Sequence, residues 1–134
     1  MKRAVTAFLI VCSLILASGC STLADARAAR GEGTTRIYDR PYDQVWMAAI
    51  STVRASGLAL IVDNRSEGLI LAQGAAGAFS WGENVAIYVE DAGGKVKTRV
   101  EIINKRALAT NITAPDWESR LFRALDTQLT SDKP

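Results

Sequence analysis

The chain has 134 residues, a formal net charge of +2 and no histidine. This length suits one small domain. The lack of histidine removes the commonest general base and a usual ligand of zinc, copper and haem. The nearly balanced charge leaves no basic stripe that would favour binding to nucleic acid.

The first segment has the features of an export signal. Lys2 and Arg3 precede an uncharged run of 16 residues, "AVTAFLIVCSLILASG", which ends in small residues. A membrane-spanning helix needs roughly 20 apolar residues, whereas a basic start, a short apolar core and a small-residue end are typical of a secretory signal peptide. We therefore predict a signal peptide over residues 1–19. The alternatives are an uncleaved N-terminal anchor and an ordinary signal cut elsewhere.

The ending "LASGC" resembles the lipobox of bacterial lipoproteins. The resemblance implies that Cys20 carries diacylglycerol on its thiol and an acyl chain on its amine, and becomes the first residue. Two or three acyl chains give stable anchoring, at roughly 0.8 kcal/mol per buried CH₂. Ser21, in place of aspartate, implies sorting to the outer membrane of a Gram-negative bacterium, with the domain facing the periplasm. Since Cys12 lies in the signal, no thiol remains free for a disulfide.

Residues 20–34 are small and polar, and they show no sustained apolar period. We expect a flexible tether between the lipid and the domain, which as a coil of about 15 residues would extend about 20 Å. The alternative is a helical turn through "LADARAA".

The folded domain is predicted over residues 35–134. A first strand is expected at residues 35–38, followed by a helix with Pro41 at its start and Gly57 at its end. Within this helix the apolar side chains recur at helical spacing and predict a buried face formed by Tyr42, Val45, Trp46, Ala49, Ile50 and Val53.

Four strands are expected next, as two hairpins. "LALIVDN" and "LILAQ" flank "RSEG", with Gly68 in the turn, and "VAIYVED" and "VKTRVEIIN" flank "AGGK". The last strand alternates, which predicts one covered face and one face in water. The covered set is Val96, Thr98, Val100 and Ile102, and the wet set is Lys97, Arg99 and Glu101. Ile103 breaks this alternation.

A second helix is predicted in "TAPDWESRLFRALDTQL". Thr113 and Asp116 form a variant of the capping box, and Pro115 falls in the first turn. Its apolar stripe consists of Trp117, Leu121, Phe122, Leu125 and Leu129. The sequence thus predicts an α+β fold of order β-α-β-β-β-β-α, with two helices packed on one face of a mainly antiparallel sheet of about five strands.

The stretch "RPYDQVWMAAISTVRASGLALIVDNRSEGLILA" is similar to the opening of small Gram-negative lipoprotein domains of uncharacterised function. In those domains a Pro-Tyr-x-x-Val helix leads into a Gly-Leu strand. The pattern also resembles the helix-grip domains of the BamC lipoprotein of the outer-membrane barrel-assembly machinery. The likeness extends from Tyr38 to about Leu129. It implies a helix-grip-like fold, and the proteins that it resembles have no established enzymatic activity.

Two loops depart from the scaffold pattern and are candidate contact sites. In "GAAGAFSWGEN", the predicted partner-binding residues are Phe79, Trp81, Glu83 and Asn84. The alternative is that the aromatic rings fold back onto the sheet or continue the next strand.

In the second loop, "NKRALATNITAPD", the predicted partner-binding residues are Lys105, Arg106 and Asn111. They could meet an anionic group such as a lipid headgroup, a peptidoglycan carboxylate or a phosphate. The alternative is a solvated strand end followed by a capped helix.

No catalytic residue and no metal site are predicted. Ser80 lies in "FSWGE", without the Gly-x-Ser-x-Gly motif or a histidine to activate it, and Glu90 and Asp91 fall at a hairpin end. We expect a non-enzymatic accessory or interaction module of the cell envelope. It would need no cofactor beyond the lipid on Cys20, and would bind an envelope protein or peptidoglycan. The alternative is a small-ligand or lipid carrier with a cavity between helices and sheet.

Overall fold

A computed structural model describes residues 21–75, 82–94, 96–106 and 115–131. The predicted α+β class and the order of its elements are confirmed, with one short helix added at the start. In chain order the described elements are α1 Leu23–Ala28, β1 Thr34–Tyr38, α2 Tyr42–Ala55, β2 Ala59–Asn64, β3 Leu69–Gln73, β4 Glu83–Asp91, β5 Thr98–Arg106 and α3 Trp117–Ser131.

The strands form a single sheet in the order β1-β5-β4-β3-β2, with every neighbouring pair antiparallel. The two predicted hairpins, β2-β3 and β4-β5, are both present. Gly68 closes the first of them with φ +63°. Its carbonyl also accepts the N–H of Val89 at 2.8 Å, so this turn lies against β4. β5, β4 and β3 are each flanked on both sides, and β4 is the central strand.

Helices α2 and α3 cover one face of the sheet, as predicted. Trp46 is 3% exposed and stacks on Tyr42, with ring centroids 6.0 Å apart. Trp117 is only partly buried, so it lies at the margin of this core. The other core side chains on this face include Val45, Ile50, Val53, Ile70, Val85, Ile87, Val100, Ile102, Leu121, Phe122, Leu125 and Leu129.

The second face is not in water as expected, although Lys97 is exposed and Arg99 is partly exposed. A second apolar cluster lies there, because the central strands carry apolar side chains on both sides, as strands do when both faces are covered. Ile103, which breaks the alternation of β5, belongs to this cluster, and Glu101 is 1% exposed. The members are Ala26, Ala29, Leu69, Leu71, Ala86, Tyr88 and Ile103.

The flexible tether expected over residues 20–34 is also corrected, for the part that the structure describes. The alternative, a helical turn through "LADARAA", is what residues 23–28 form. A capping box starts it: Thr22 N–H donates to Asp25 Oδ2 at 2.6 Å, and Asp25 N–H donates to Thr22 Oγ1 at 3.3 Å. We call residues 21–33 the N-terminal clasp, since they lie across the second face and lead directly into β1.

Candidate functional site

The structure brings together residues that the sequence placed in two separate loops. Glu83 and Asn84 begin β4, and Lys105 and Arg106 end β5. In the antiparallel register Glu83 is opposite Arg106, and Asn84 is opposite Lys105. We call this the Arg106 end of the sheet. The other candidates, Phe79, Trp81 and Asn111, lie outside the described residues, as does Cys20, so their roles stay predictions.

Glu83 is a buried structural acid rather than a free contact residue. It is 2% exposed, and its Oε2 accepts a hydrogen bond from Trp117 Nε1 at 3.4 Å. A Cβ at Gly74 would come within 2.7 Å of the same oxygen, so the chain passes closely over this carboxylate. Glu83 therefore helps to hold the start of α3 against the sheet.

Asn84 joins the sheet to the first described residue of the chain. It is 2% exposed. Its Oδ1 accepts from Gln73 Nε2 at 3.0 Å, and its Nδ2 donates to the carbonyl oxygen of Ser21 at 2.8 Å. Ser21, predicted to direct sorting, thus lies at the Arg106 end of the sheet.

The two cations at this end are not equivalent. Lys105 Nζ pairs with Glu32 Oε2 at 2.7 Å, and its side chain is 35% exposed. Arg106 is exposed, and within the described part of the chain it has no ion-pair partner. Of the four described candidates, Arg106 is therefore the one most accessible to a partner.

A surface pocket of about 520 Å³ lies at the Arg106 end. Its acidic groups serve the fold: Asp116 accepts the N–H of Ser119 at 3.1 Å as the N-cap of α3. The helix therefore begins later than predicted, and Pro115 precedes it instead of lying in its first turn. Hydrogen bonds from Ser119 hold the pKa of the Asp116 carboxyl below its ordinary value. The residues that line the pocket are Ser21, Asn104, Lys105, Arg106, Asp116 and Glu118.

Glu118 fastens α3 to two strands. Its Oε1 accepts the N–H of Asn104 at 3.1 Å, and its Oε2 accepts both the N–H and the hydroxyl of Thr34. The carboxylate thereby satisfies backbone groups where β1 begins beside β5. It too has a structural role.

The N-terminal clasp is fastened to the sheet by Glu101 and Tyr88, whose contacts were not predicted from the sequence. Glu101 Oε1 accepts the N–H of Gly31 at 2.6 Å and that of Gly33 at 3.1 Å. The hydroxyl of Tyr88 donates to the carbonyl oxygen of Arg27 at 2.7 Å. Together with the bond between Asn84 and Ser21, these contacts hold the clasp at both ends and in the middle.

Ion pairs add to this fastening. Arg27 pairs with Glu67 at 2.7 Å, and Arg30 pairs with Glu90. The guanidinium of Arg30 also lies 4.7 Å from the centroid of the Tyr88 ring, within the range of a cation–π contact. Since surface ion pairs are each worth about 0–1 kcal/mol, the hydrogen bonds to the buried carboxylate of Glu101 matter more.

Among the described residues no group of three or more potential metal-ligating side chains is found, and no described helix has the length and apolarity needed to span a membrane.

Comparison with known families found no matching family model, and comparison with curated proteins found no significant match. What the site offers chemically is one accessible guanidinium beside a pocket, next to the N-terminus of the described chain.

One signal in the sequence could have placed these residues together. In a hairpin, register can be counted outward from the turn: Asp91 pairs with Thr98, and continuing this count pairs Glu83 with Arg106. No comparable local signal marks Glu101, because its partners lie about 70 residues away in the chain.

Proposed function

We propose that the protein is a lipid-anchored, non-enzymatic interaction module of the cell envelope, held by Cys20 on the periplasmic face of the outer membrane. It binds an envelope protein through the Arg106 end of its sheet, and peptidoglycan is the alternative partner. The observation that carries this proposal is the hydrogen bond between Asn84 and Ser21. It supports the proposal because Ser21, the residue after the predicted anchor Cys20, is bonded at the end of the sheet where β4 begins and β5 ends.

The acidic groups at this end support a binding role over a catalytic one. Glu83 bonds to Trp117, Asp116 caps α3, and Glu118 binds backbone N–H groups. A general acid or base must be within hydrogen-bonding reach of a substrate, whereas these three carboxylates are engaged within the protein. The absence of histidine points the same way.

The packing between helices and sheet favours the interaction module over the carrier alternative. A carrier needs free volume in that layer, typically a cavity of about 300–1,000 Å³. In the described part of the chain the layer contains large buried side chains that face each other, among them Trp46, Ile50, Ile87, Ile102, Phe122 and Leu125.

The anchor is tested by Cys20→Ser. Labelled palmitate should then fail to enter the protein, and a larger precursor should accumulate. Continued incorporation of the label, with unchanged fractionation to membranes, would contradict the lipobox assignment.

The contact site is tested by photo-crosslinking in intact cells. A photoreactive phenylalanine analogue placed at Arg106 should capture an envelope protein or peptidoglycan fragment. The same analogue at Ala92, an exposed residue in the turn at the other end of the β4-β5 hairpin, is the matched control. Equal capture from both positions would contradict the site assignment.

A further inference from the structure

The N-terminal clasp is bonded to the sheet along its length, so residues 21–33 do not act as a flexible linker. Ser21 is bonded to Asn84 in the sheet, and Arg27 is bonded to Tyr88. At its far end the clasp is held by Glu101, which binds Gly31 and Gly33. The segment that the sequence predicts as a tether is thus part of the folded domain from its first described residue.

Covalent geometry then fixes where the lipid must attach. Cys20 directly precedes Ser21, and the Cα atoms of adjacent residues are about 3.8 Å apart. A free coil of about 15 residues would instead allow separations on the order of 20 Å. If acyl chains on Cys20 enter the bilayer, Ser21 and the Arg106 end of the sheet come with them to the headgroup layer.

We infer, on the basis of the lipid anchor in the proposed function, that the Arg106 end of the sheet lies against the bilayer surface and that the domain is held in one orientation. The occupant of this surface is the headgroup layer, so a protein partner that also contacts Arg106 must lie in or on the same membrane. The opposite end, with the turn after Asp91, points away from the membrane. Since β4 spans Glu83–Asp91 at roughly 3.4 Å per residue, about 27 Å separate the two ends.

The charges at the Arg106 end indicate that this contact does not depend on anionic lipid. Lys105 is already paired with Glu32. Asp116 and Glu118 line the same pocket as Arg106 and offset its charge. Electrostatic attraction to a negative surface needs a cluster of basic residues, so we expect the same orientation on zwitterionic and on anionic membranes.

The experiment uses the full-length, lipidated protein on phosphatidylcholine vesicles that contain a small fraction of lipid with a nitroxide on its headgroup. A fluorophore is attached to a single introduced cysteine, either in Arg106→Cys or in Ala92→Cys. Quenching by the nitroxide should be several-fold stronger at position 106 than at position 92. Equal quenching, or stronger quenching at position 92, would overturn the inference.

A released clasp is the matched control. A flexible Gly/Ser segment of roughly eight residues, inserted between Ser21 and Thr22, adds slack without removing any side chain of the domain. This insertion should bring the quenching at the two positions close together. If the insertion leaves the full difference in place, the clasp does not set the orientation and the inference is overturned.

Flotation with the vesicles distinguishes a failure of the proposed lipid anchor from a failure of the inferred orientation. A protein that does not float lacks the anchor, and this result would remove the proposed function together with the inference. A protein that floats and is quenched equally at both positions would remove the inference alone. Replacing part of the phosphatidylcholine by phosphatidylglycerol should leave the ratio of the two signals unchanged, and an orientation seen only with phosphatidylglycerol would contradict the inferred role of the clasp.

Discussion

The buried carboxylate of Glu101 accepts the backbone N–H of Gly31 at 2.6 Å, across 70 positions of the chain. The same oxygen accepts the N–H of Gly33, and Arg99 donates to the other oxygen at 3.3 Å. Hydrogen bonds to an ionised group are roughly twice as strong as those between neutral groups. Glu101 is therefore the main polar fastening of the N-terminal clasp.

Removing this carboxylate should detach the clasp. Glu101→Ala leaves two backbone N–H groups without their acceptor, which should lower the free energy of unfolding by about 1–3 kcal/mol. Urea unfolding measures the loss, and hydrogen exchange at Gly31 and Gly33 should accelerate. Asp63→Ala, at an exposed acid on β2, is the control and should stay within about 0.5 kcal/mol. Equal losses in both variants would show that Glu101 does not hold the clasp.

Gly33 is expected to be intolerant of a side chain. A Cβ at this position would overlap the carbonyl oxygen of Ile102 and the side chain of Ile103. Gly33→Ala should cost about 1–3 kcal/mol, as overpacking does, and should reduce the hydrogen-exchange protection of α1.

Gly57→Ala is the control for Gly33→Ala, because it introduces backbone strain without steric overlap. Gly57 has φ +81° with open space around it, so alanine meets strain but no clash. This variant should lower stability without selectively weakening the protection of α1. Loss of α1 protection in both variants would count against a local effect at Gly33.

The two tryptophans should differ in their contribution to stability. Trp46 is buried, and Trp46→Ala should cost about 3–5 kcal/mol. Trp117 is partly buried and donates to Glu83, so Trp117→Ala should cost less. Chemical denaturation followed by circular dichroism measures both. A larger loss from Trp117→Ala would contradict the placement of Trp46 at the centre of the core.

The helix cap of α1 should weaken in acid. Hydrogen bonds from Thr22 hold the pKa of Asp25 below its ordinary value of 3.8. Because the folded state binds the proton more weakly, the stabilisation is present above pH 3.8 and is lost as the pH falls through the lower, folded pKa. Carbon-detected NMR of the carboxyl group should give a midpoint below 3.8. In Thr22→Ala the midpoint should return toward 3.8, and an unchanged midpoint would exclude Thr22 as the cause.

Ser21→Asp should redirect the protein to the inner membrane in an enteric host. Asn84 binds the backbone carbonyl of residue 21 and not its side chain, so aspartate leaves this contact in place. The matched variant Ser21→Thr should keep the outer-membrane location. Density-gradient fractionation separates the two membranes, and an unchanged location of Ser21→Asp would leave the sorting proposal without support.

Elements with a clear local period were predictable from the sequence. The apolar stripes of α2 and α3, and the turn residues of both hairpins, lie within single short segments. Helix α1 has six residues, too few to establish a period. Its contacts with Glu101 and Asn84 are distant in the chain, and residues 21–33 consequently resemble a polar linker.

The candidate site was predicted in part. The sequence singled out Glu83, Asn84, Lys105 and Arg106, and the register places them at one end of the sheet. It did not distinguish the exposed Arg106 from the buried Glu83, because burial here depends on α3 and the clasp. Polar residues at a strand end have the same local pattern whether they face water or another element.

The position of β1 beside β5 also bears on how the chain folds. Thr34 pairs with Ile102, so this part of the sheet closes only after the chain as far as Ile102 has been made or delivered. The β2-β3 and β4-β5 hairpins involve nearby residues and can form early, whereas long-range pairing is slow. We expect formation of the β1-β5 ladder to limit the folding rate. A chain that crosses a membrane from its N-terminus would then stay unfolded until its last strand emerges.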